Sequence, residues 1–308
     1  MKKLNYIYLI LFTTLLFAAC SSDDIPANGN GMVELSYTIR NYSINGVTTR
    51  ATDAGTAEEQ QIDNLYLFLF DMSDANSVNY YVDNSFSDGT WSKVDEHVTL
   101  KLTQAEAGER KVYVVANVSN SLKTTFDGVT TVAELQAAFE STDTPWSPTL
   151  ETPILMSGNA THNFVTNRIL NSVPLIRALA KVELNVTLPT KHQDADASHY
   201  KYNFIGFDKN TYVLKQTPKT DDLATTGWQP WEAAGDVSSY TLGGDSKVNS
   251  LKVITYINER DIAGSYIDIQ LPYNAGPLPP PEFGDETFKL PLPGEIERNH
   301  WYKFDVTL

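Results

Sequence analysis

Apolar and polar side chains alternate along much of the chain with a period of two residues. The first such segment, residues 33–39, places Val33, Leu35, Tyr37 and Ile39 on one face of a predicted strand. Similar strand-like runs follow at residues 97–102, 110–118, 178–188, 202–208, 212–216, 250–258, 265–273 and 301–308. Because many short strands separated by polar turns are typical of β-sandwiches, this pattern predicts an all-β fold.

Residues 62–71 depart from this alternation, because the run Leu65–Phe70 is apolar at every position. A strand that is apolar on both faces is expected in the middle of a sheet that is covered on both sides. We therefore predict that this strand lies at the centre of the first core.

One segment has the signature of a helix, at residues 131–141. Thr131 is a suitable N-cap, and Glu134 follows it at the spacing of a capping box. Val132, Leu135 and Phe139 then fall on one helical face. This predicts a single short helix packed on an otherwise β domain.

The N-terminus has the pattern of a targeting segment. Lys2 and Lys3 precede an apolar stretch over residues 6–19, which is too short for a comfortable transmembrane helix. Small residues then lead to Cys20, the single cysteine of the chain. This arrangement predicts a signal peptide over residues 1–19 and a lipidated Cys20, as in bacterial lipoproteins. A single cysteine also excludes a disulfide within the chain.

Composition and charge narrow the function further. The chain has 308 residues, 42% of them hydrophobic, which suits two domains or one large β domain. A boundary is predicted near residues 165–175. The net charge of −15 disfavours nucleic acid as a partner, because an acidic surface repels phosphate backbones.

The sequence contains no recognisable catalytic motif, so we predict no enzymatic activity and no cofactor. The closest approach to a metal site is the segment 191–200, which holds His192, Asp194, Asp196 and His199. We interpret it as a solvated loop and predict no metal.

Trp228 and Trp231 lie close together near a turn and are candidates for ligand contact, since exposed indoles can stack on sugars. Packing over the edge of the core is the alternative interpretation for both indoles.

Five segments together resemble fimbrillins, the major fimbrial subunit (FimA-type) family of type V pili. These segments are IDNLYLFLFD, KVYVVANVS, ILMSGNA, VPLIRALAKVELNV and IERNHWYKFDVTL, and they occur in the family order behind the lipobox-like cysteine. The resemblance implies two tandem transthyretin-like (Greek-key) β-sandwich domains. It divides the chain into a signal peptide (1–19), a lipidated propeptide with the first strand (20–50), an N-terminal domain (51–172) and a C-terminal domain (173–308).

The resemblance also implies a maturation pathway. Precursors of this family are lipidated, exported to the outer membrane and cut by an arginine-specific protease in the loop after the first strand. In this sequence Arg50 and Ala51 lie at that place. The cut would detach the strand that carries Val33, Leu35, Tyr37 and Ile39. An edge left open in this way favours an incoming strand from another pilin subunit.

The C-terminus suggests which kind of subunit this is. Stalk subunits of the family continue past the final strand into a donor segment, whereas this sequence ends at Leu308. We therefore expect a tip or accessory pilin with a role in adhesion, located in the fimbrium at the cell surface. Two alternatives stay open, namely a pilus anchor that keeps its lipid and a surface glycan-binding lipoprotein that uses Trp228 and Trp231.

Overall fold

The computed structural model describes residues 31–45, 51–145, 151–216, 222–261, 263–274 and 283–308. Its strands are β1 (Met32–Ile39), β2 (Tyr42–Asn45), β3 (Thr52–Asp53), β4 (Leu65–Phe70), β5 (Val78–Val82), β6 (Gly89–Ser92), β7 (His97–Thr103), β8 (Glu109–Ala116), β9 (Phe139–Ser141), β10 (Met156–Asn163), β11 (Ile169–Arg177), β12 (Leu179–Thr187), β13 (Lys201–Ile205), β14 (Phe207–Asp208), β15 (Asn210–Tyr212), β16 (Leu223–Ala224), β17 (Gln229–Pro230), β18 (Ser238–Leu242), β19 (Val248–Asn258), β20 (Tyr266–Asn274), β21 (Phe283–Pro291) and β22 (His300–Thr307). Its helices are α1 (Gln104–Ala107), α2 (Asn120–Phe126) and α3 (Val132–Ala137), with 3-10 turns at Glu58–Gln60, Thr190–His192 and Ala197–His199. The prediction of an all-β fold is confirmed.

The first sandwich is built from eight strands in the order β5-β4-β8-β10-β11-β1-β7-β6. The two halves of this sheet meet where β10 and β11 pair at only two positions, Met156 with Arg177 and Ser157 with Ile176. Apolar residues from both halves share one core, among them Leu67 of β4, Val98 of β7 and Val173 of β11. The sheet therefore folds over on itself and encloses the core between its halves.

Gly158 allows the two halves to approach closely at this joint. A Cβ atom at Gly158 would overlap the carbonyl oxygen of Pro174 on β11. Only glycine fits there, which gives a physical reason for the Met-Ser-Gly segment at the start of β10.

Strand β4 is buried on both faces, as its sequence predicts. Leu65, Leu67 and Leu69 enter the core between the two halves of the sheet. On the opposite face, Tyr66, Phe68 and Phe70 carry aromatic rings into a second cluster with residues of α2 and α3. This strand therefore joins the sandwich core to the helical layer.

The predicted helix forms with the predicted cap. Thr131 and Glu134 make both hydrogen bonds of the capping box. The helix ends at Ala137, earlier than the sequence suggests, because Phe139 starts β9 and pairs with Tyr212 of β15. The structure adds two further short helices, α1 and α2, which have side-chain N-caps of their own.

The second sandwich pairs a six-stranded sheet, β18-β19-β12-β22-β2-β3, with a four-stranded sheet, β17-β13-β20-β21. Its core includes Leu184 of β12, Val253 of β19, Phe204 of β13 and Ile269 of β20. Two strands of the larger sheet, β2 and β3, come from residues 42–53. The sequence pattern does not predict β2, and the predicted boundary between residues 50 and 51 places β3 within the first domain.

Candidate functional site

The first strand of the chain lies inside the first sandwich rather than on its surface. β1 runs parallel to β11 on one side and antiparallel to β7 on the other. Val33, Leu35 and Tyr37 are completely or almost completely buried, and Ile39 is partly buried against the same core. Without β1, the sheet would have a gap between β7 and β11, floored by apolar side chains.

Side chains from outside the strand also hold β1. The indole Nε1 of Trp91 donates a hydrogen bond to the Tyr37 hydroxyl at 3.0 Å. Glu34 lies between two basic side chains, pairing with Arg168 and, at 3.3 Å, with Nε2 of His97. The strand is therefore held by the burial of its apolar face, by its backbone hydrogen bonds and by polar contacts of its side chains.

The second strand, β2, fills the corresponding place in the second sandwich. It runs parallel to β22 and antiparallel to β3. Its first residue, Tyr42, is only 1% exposed, and its ring meets the Trp301 ring edge-on with 6.1 Å between centroids. The guanidinium carbon of Arg177 lies 4.1 Å from the centroid of the Tyr42 ring, in cation–π geometry.

Arg177 and Asn299 hold the crossing between β1 and β2. Arg177 is fully buried and donates from Nη1 to the carbonyl oxygen of Arg40 at 2.9 Å. Asn299 donates from Nδ2 to the carbonyl oxygen of Asn41 at 2.8 Å, and its Oδ1 accepts from Arg177 Nη1 at 3.0 Å. Burial lowers the pKa of the Arg177 guanidinium, and the nearby carboxylate of Glu59 is among the groups that oppose this shift.

Arg177 also binds the chain on the far side of the predicted cleavage point. Its Nη2 donates to the carbonyl oxygen of Ala54 at 2.8 Å, and its Nε donates to that of Glu59 at 3.0 Å. The Glu59 side chain is itself 1% exposed, forming an ion pair with Lys181 Nζ at 2.8 Å and accepting a hydrogen bond from the Tyr256 hydroxyl at 2.6 Å. Residues 54–59 are thus anchored independently of β1 and β2.

Two of the predicted site residues, Cys20 and Arg50, lie outside the described residues. Ala51 is described, and its carbonyl oxygen accepts a hydrogen bond from the Ile44 N–H at 3.0 Å. The described chain therefore stops at Asn45, beside β22, and resumes at Ala51, where β3 is about to begin.

The two candidate tryptophans lie in different environments. Trp228 is 42% exposed, whereas Trp231 is 4% exposed and packs against Tyr202 in the second core, with 5.0 Å between ring centroids. Trp231 is therefore not available as a stacking surface, and the two indoles do not form a joint platform. The core position of Trp231 agrees with the alternative interpretation made from the sequence.

His192 also departs from its sequence interpretation as part of a solvated loop. The side chain is fully buried, and its Nδ1 lies 2.9 Å from the carbonyl oxygen of Pro272. In the part of the chain that the structure describes, no three His, Cys, Asp or Glu side chains form a group that could hold a metal ion. Within the same residues no helix is long and apolar enough to cross a membrane.

Arg177, Asn299 and Tyr42 were not predicted as functional residues. The sequence contained a signal for Arg177, which is a lone cation between the apolar runs 173–176 and 178–180. A buried arginine without partners is costly, so such a residue must meet acceptors in the fold. Nothing in the sequence shows that these acceptors are carbonyl groups of residues 40, 54 and 59.

The chain folds into two β-sandwiches with an N-terminal strand inserted into each, and the comparisons identify this as the architecture of a fimbrial subunit. The chain belongs to the family of the major fimbrial subunit protein (FimA), whose family model matches residues 34–203. A second family model, the C-terminal region of the minor fimbrium tip subunit MfA4, matches residues 178–307. Membership of this family implies assembly with other pilin subunits in a fimbrium at the cell surface.

Individual relatives agree with this assignment. The chain is 43% identical to the minor fimbrium tip subunit MfA4 of Porphyromonas gingivalis over the full length of both chains. Among solved structures, a candidate cell adhesion protein from Bacteroides eggerthii is 18% identical and superposes with a TM-score of 0.56, covering 91% of this chain and 86% of that one. The tip fimbrial protein Mfa3 from Porphyromonas gingivalis is 14% identical with a TM-score of 0.50, covering 89% and 94%. These two structures support the fold.

Proposed function

We propose that this protein is a tip or accessory subunit of a fimbrium, exported as a lipoprotein acylated at Cys20 and matured by cleavage between Arg50 and Ala51. The lipid holds the precursor at the outer membrane until an arginine-specific protease makes the cut. Another pilin subunit then supplies a strand that replaces β1 and β2. The observation that carries this proposal is that both strands preceding the predicted cut are inserted between two neighbours of a sheet.

The hydrogen bonds around Arg40 disfavour cleavage at that residue, the nearest alternative to Arg50. The Arg40 N–H donates to the carbonyl oxygen of Leu175 at 2.8 Å, and its own carbonyl oxygen is held by Arg177. The next carbonyl, that of Asn41, is held by Asn299. A protease requires a segment that can extend into its active site, and a peptide held on both sides resists this.

Cleavage alone would not empty the groove. Val33, Leu35 and Tyr37 are buried, and fully burying a side chain of this kind is worth about 1.5–3 kcal/mol. The cut peptide therefore stays bound after the covalent link is broken. A competing strand with its own apolar residues and backbone groups displaces it, because only such an occupant restores both ladders of hydrogen bonds.

The names of relatives support a position at the tip of the fimbrium. The relative that is 43% identical over its full length is a minor fimbrium tip subunit, and a tip-subunit family model matches residues 178–307 of this chain. A subunit at the tip needs to accept a strand from the subunit beneath it. The grooves that β1 and β2 occupy before cleavage would receive that strand.

The proposal is tested by comparing Arg50→Ala with Arg40→Ala. Arg40 is a matched control, because its described hydrogen bonds are made by backbone atoms. After treatment of the purified proteins with an arginine-specific protease, the wild type and Arg40→Ala are expected to begin at Ala51. In cells, both are expected to enter fimbriae. Arg50→Ala is expected to stay uncut and absent from fibres. Equal incorporation of Arg50→Ala would contradict maturation and favour an anchor subunit that keeps its N-terminus.

The lipid is tested separately with Cys20→Ala. A multiply acylated cysteine anchors a protein stably in a membrane, so the proposed anchor is lost when Cys20 cannot be acylated. Labelled palmitate is expected to enter the wild type and not the variant. Undiminished labelling of Cys20→Ala would rule out acylation at this residue.

A further inference from the structure

We infer that Arg177 and Asn299 form a carbonyl clamp that sets the register of any strand replacing β1 and β2, and that the clamp selects an aromatic residue directly after the two clamped carbonyls. This inference rests on the proposed function, since it concerns the occupant of the same groove. The ligand it identifies is an extended segment of another fimbrial subunit. Such a segment offers two successive backbone carbonyls followed by an aromatic ring.

The clamp acts on the short segment that crosses from one sandwich to the other. Within Arg40–Ser43, the first N–H donates to Leu175 and the last N–H donates to the carbonyl oxygen of Asn299 at 3.0 Å. Between them, the carbonyls of Arg40 and Asn41 accept from the side chains of Arg177 and Asn299. The crossing is therefore bound by side chains where it leaves one sheet and enters the next.

Asn299 has the backbone conformation that this role requires. Its φ is +58°, in the left-handed region where asparagine is one of the few tolerated non-glycine residues. The side chain uses both ends of its amide, with Oδ1 accepting from Arg177 and Nδ2 donating to Asn41. An aspartate at this position keeps the acceptor and loses the donor.

Departure of residues up to Arg50 would disrupt this site in a specific way. Arg177 would keep the carbonyls of Ala54 and Glu59, which belong to the chain after the cut. It would lose the Arg40 carbonyl and the Tyr42 ring, while Asn299 Nδ2 would lose the Asn41 carbonyl. Arg177 Nη1 would keep Oδ1 of Asn299 as an acceptor, whereas Asn299 Nδ2 would have no acceptor among the described residues. A buried donor left without an acceptor costs about 1–3 kcal/mol, so the emptied site favours an occupant that supplies a carbonyl there.

The aromatic position follows from the surroundings of Tyr42. Its ring is stacked on the Arg177 guanidinium and lies against Trp301, with Lys181 Nζ 6.0 Å from the ring centroid. The Tyr42 hydroxyl is buried and has no hydrogen-bond partner among the described residues. The site therefore recognises the ring and not the hydroxyl, and phenylalanine should replace tyrosine there.

Register is the property that the clamp adds to apolar burial. In a strand, a shift by one residue turns the apolar set to the opposite face. The first sandwich fixes the register of β1, and the second sandwich fixes the register of β2. The clamp fixes the number of residues between these two strands. A replacing strand with one residue more or fewer at the crossing cannot satisfy both grooves.

The test uses the full-length protein, cut after Arg50 with an arginine-specific protease, and a fluorescent peptide of residues 31–45 as the probe. Exchange of this peptide into the cut protein is followed by fluorescence anisotropy. We expect the peptide to exchange, and the Tyr42→Phe peptide to match it within about twofold. The Tyr42→Ala peptide and a peptide lacking Asn41 are expected to bind about tenfold or more weakly, since each loses at least one buried contact.

On the protein side, Asn299→Asp is compared with Asn79→Asp. Asn79 is a matched control because its Nδ2 also donates to a backbone carbonyl, that of Val129 at 3.0 Å, away from the groove. Asn299→Asp is expected to weaken peptide binding about tenfold with an unchanged circular dichroism spectrum, and Asn79→Asp to leave binding unchanged. The peptide variants need no change in the protein, so they test the clamp even if Asn299→Asp fails to fold.

The outcomes separate this inference from the proposed function. If the wild-type peptide exchanges but all peptide and Asn299 variants bind equally, the clamp is overturned and strand replacement stands. If the wild-type peptide does not exchange into the cut protein, both the clamp and strand replacement are overturned.

Discussion

The Trp91 indole donates a hydrogen bond to the Tyr37 hydroxyl, joining β6 to the buried face of β1 across 3.0 Å. This hydrogen bond joins β1 to the rest of the first sandwich through side chains, in addition to the backbone hydrogen bonds of the sheet. Burial raises the pKa of Tyr37, whereas the hydrogen bond from Trp91 lowers it.

We expect Trp91→Phe and Tyr37→Phe each to lower the free energy of unfolding, and the double variant to lower it by less than their sum. A hydrogen bond of this kind contributes about 0.5–1.5 kcal/mol, and this is the coupling expected in a double-mutant cycle. Urea unfolding of the four proteins measures it. Fully additive losses would show that the two side chains do not interact in solution.

Alkaline pH provides a second test, through Tyr42. Burial raises the pKa of Tyr42, the Glu59 carboxylate adds to the rise, and Arg177 opposes it. The folded chain therefore keeps this proton while the unfolded chain releases it above about pH 10, the ordinary pKa of tyrosine. The contribution of Tyr42 to stability is complete below that pH and is lost as the pH rises through it.

Comparison of wild type with Tyr42→Phe isolates this residue from the other buried tyrosines. We expect similar stabilities at pH 8, because the Tyr42 hydroxyl has no partner among the described residues. Between pH 8 and about pH 11 the wild type is expected to lose about 1.4 kcal/mol more than the variant, the value of one pKa unit. Parallel losses in urea unfolding at these two pH values would contradict the burial of Tyr42.

The central strand of the first sandwich offers a stability prediction. Leu67 is completely buried on β4, so Leu67→Ala is expected to lower the free energy of unfolding by about 2–5 kcal/mol through lost burial and the cavity left behind. Leu223→Ala is the matched control, because Leu223 is 44% exposed, and its change is expected to stay within about 0.5 kcal/mol. Similar losses for the two variants in urea unfolding would show that Leu67 is not at the centre of the core.

The sequence predicted well those features that depend on local pattern. Alternation identified β1, an unbroken apolar run identified β4, and the Thr131–Glu134 pair identified the start of α3. It did not predict β2, because a four-residue strand with one buried ring carries too little periodicity to separate it from a loop. The end of α3 was missed for a related reason, since Phe139 is taken into a strand by its pairing with Tyr212, which is distant in sequence.

The candidate site was predictable in part. The apolar face of β1 followed from spacing, and the resemblance to fimbrial subunits implied its replacement by another strand. The clamp was not predictable, because Arg177 and Asn299 are 122 residues apart and meet the chain at carbonyl groups, which leave no trace in the sequence. The tryptophan pair was misleading because two residues that are close in sequence lie in different environments. Trp228 is at the surface, whereas Trp231 is in the core.

Strand replacement is tested most directly by the N-terminal residue of this protein in fimbriae purified from cells. N-terminal sequencing together with intact mass is expected to give a chain that begins at Ala51, with no lipid and with residues 31–45 absent from the fibre. A chain that begins at an acylated Cys20 and retains β1 and β2 would contradict strand replacement as the means of assembly.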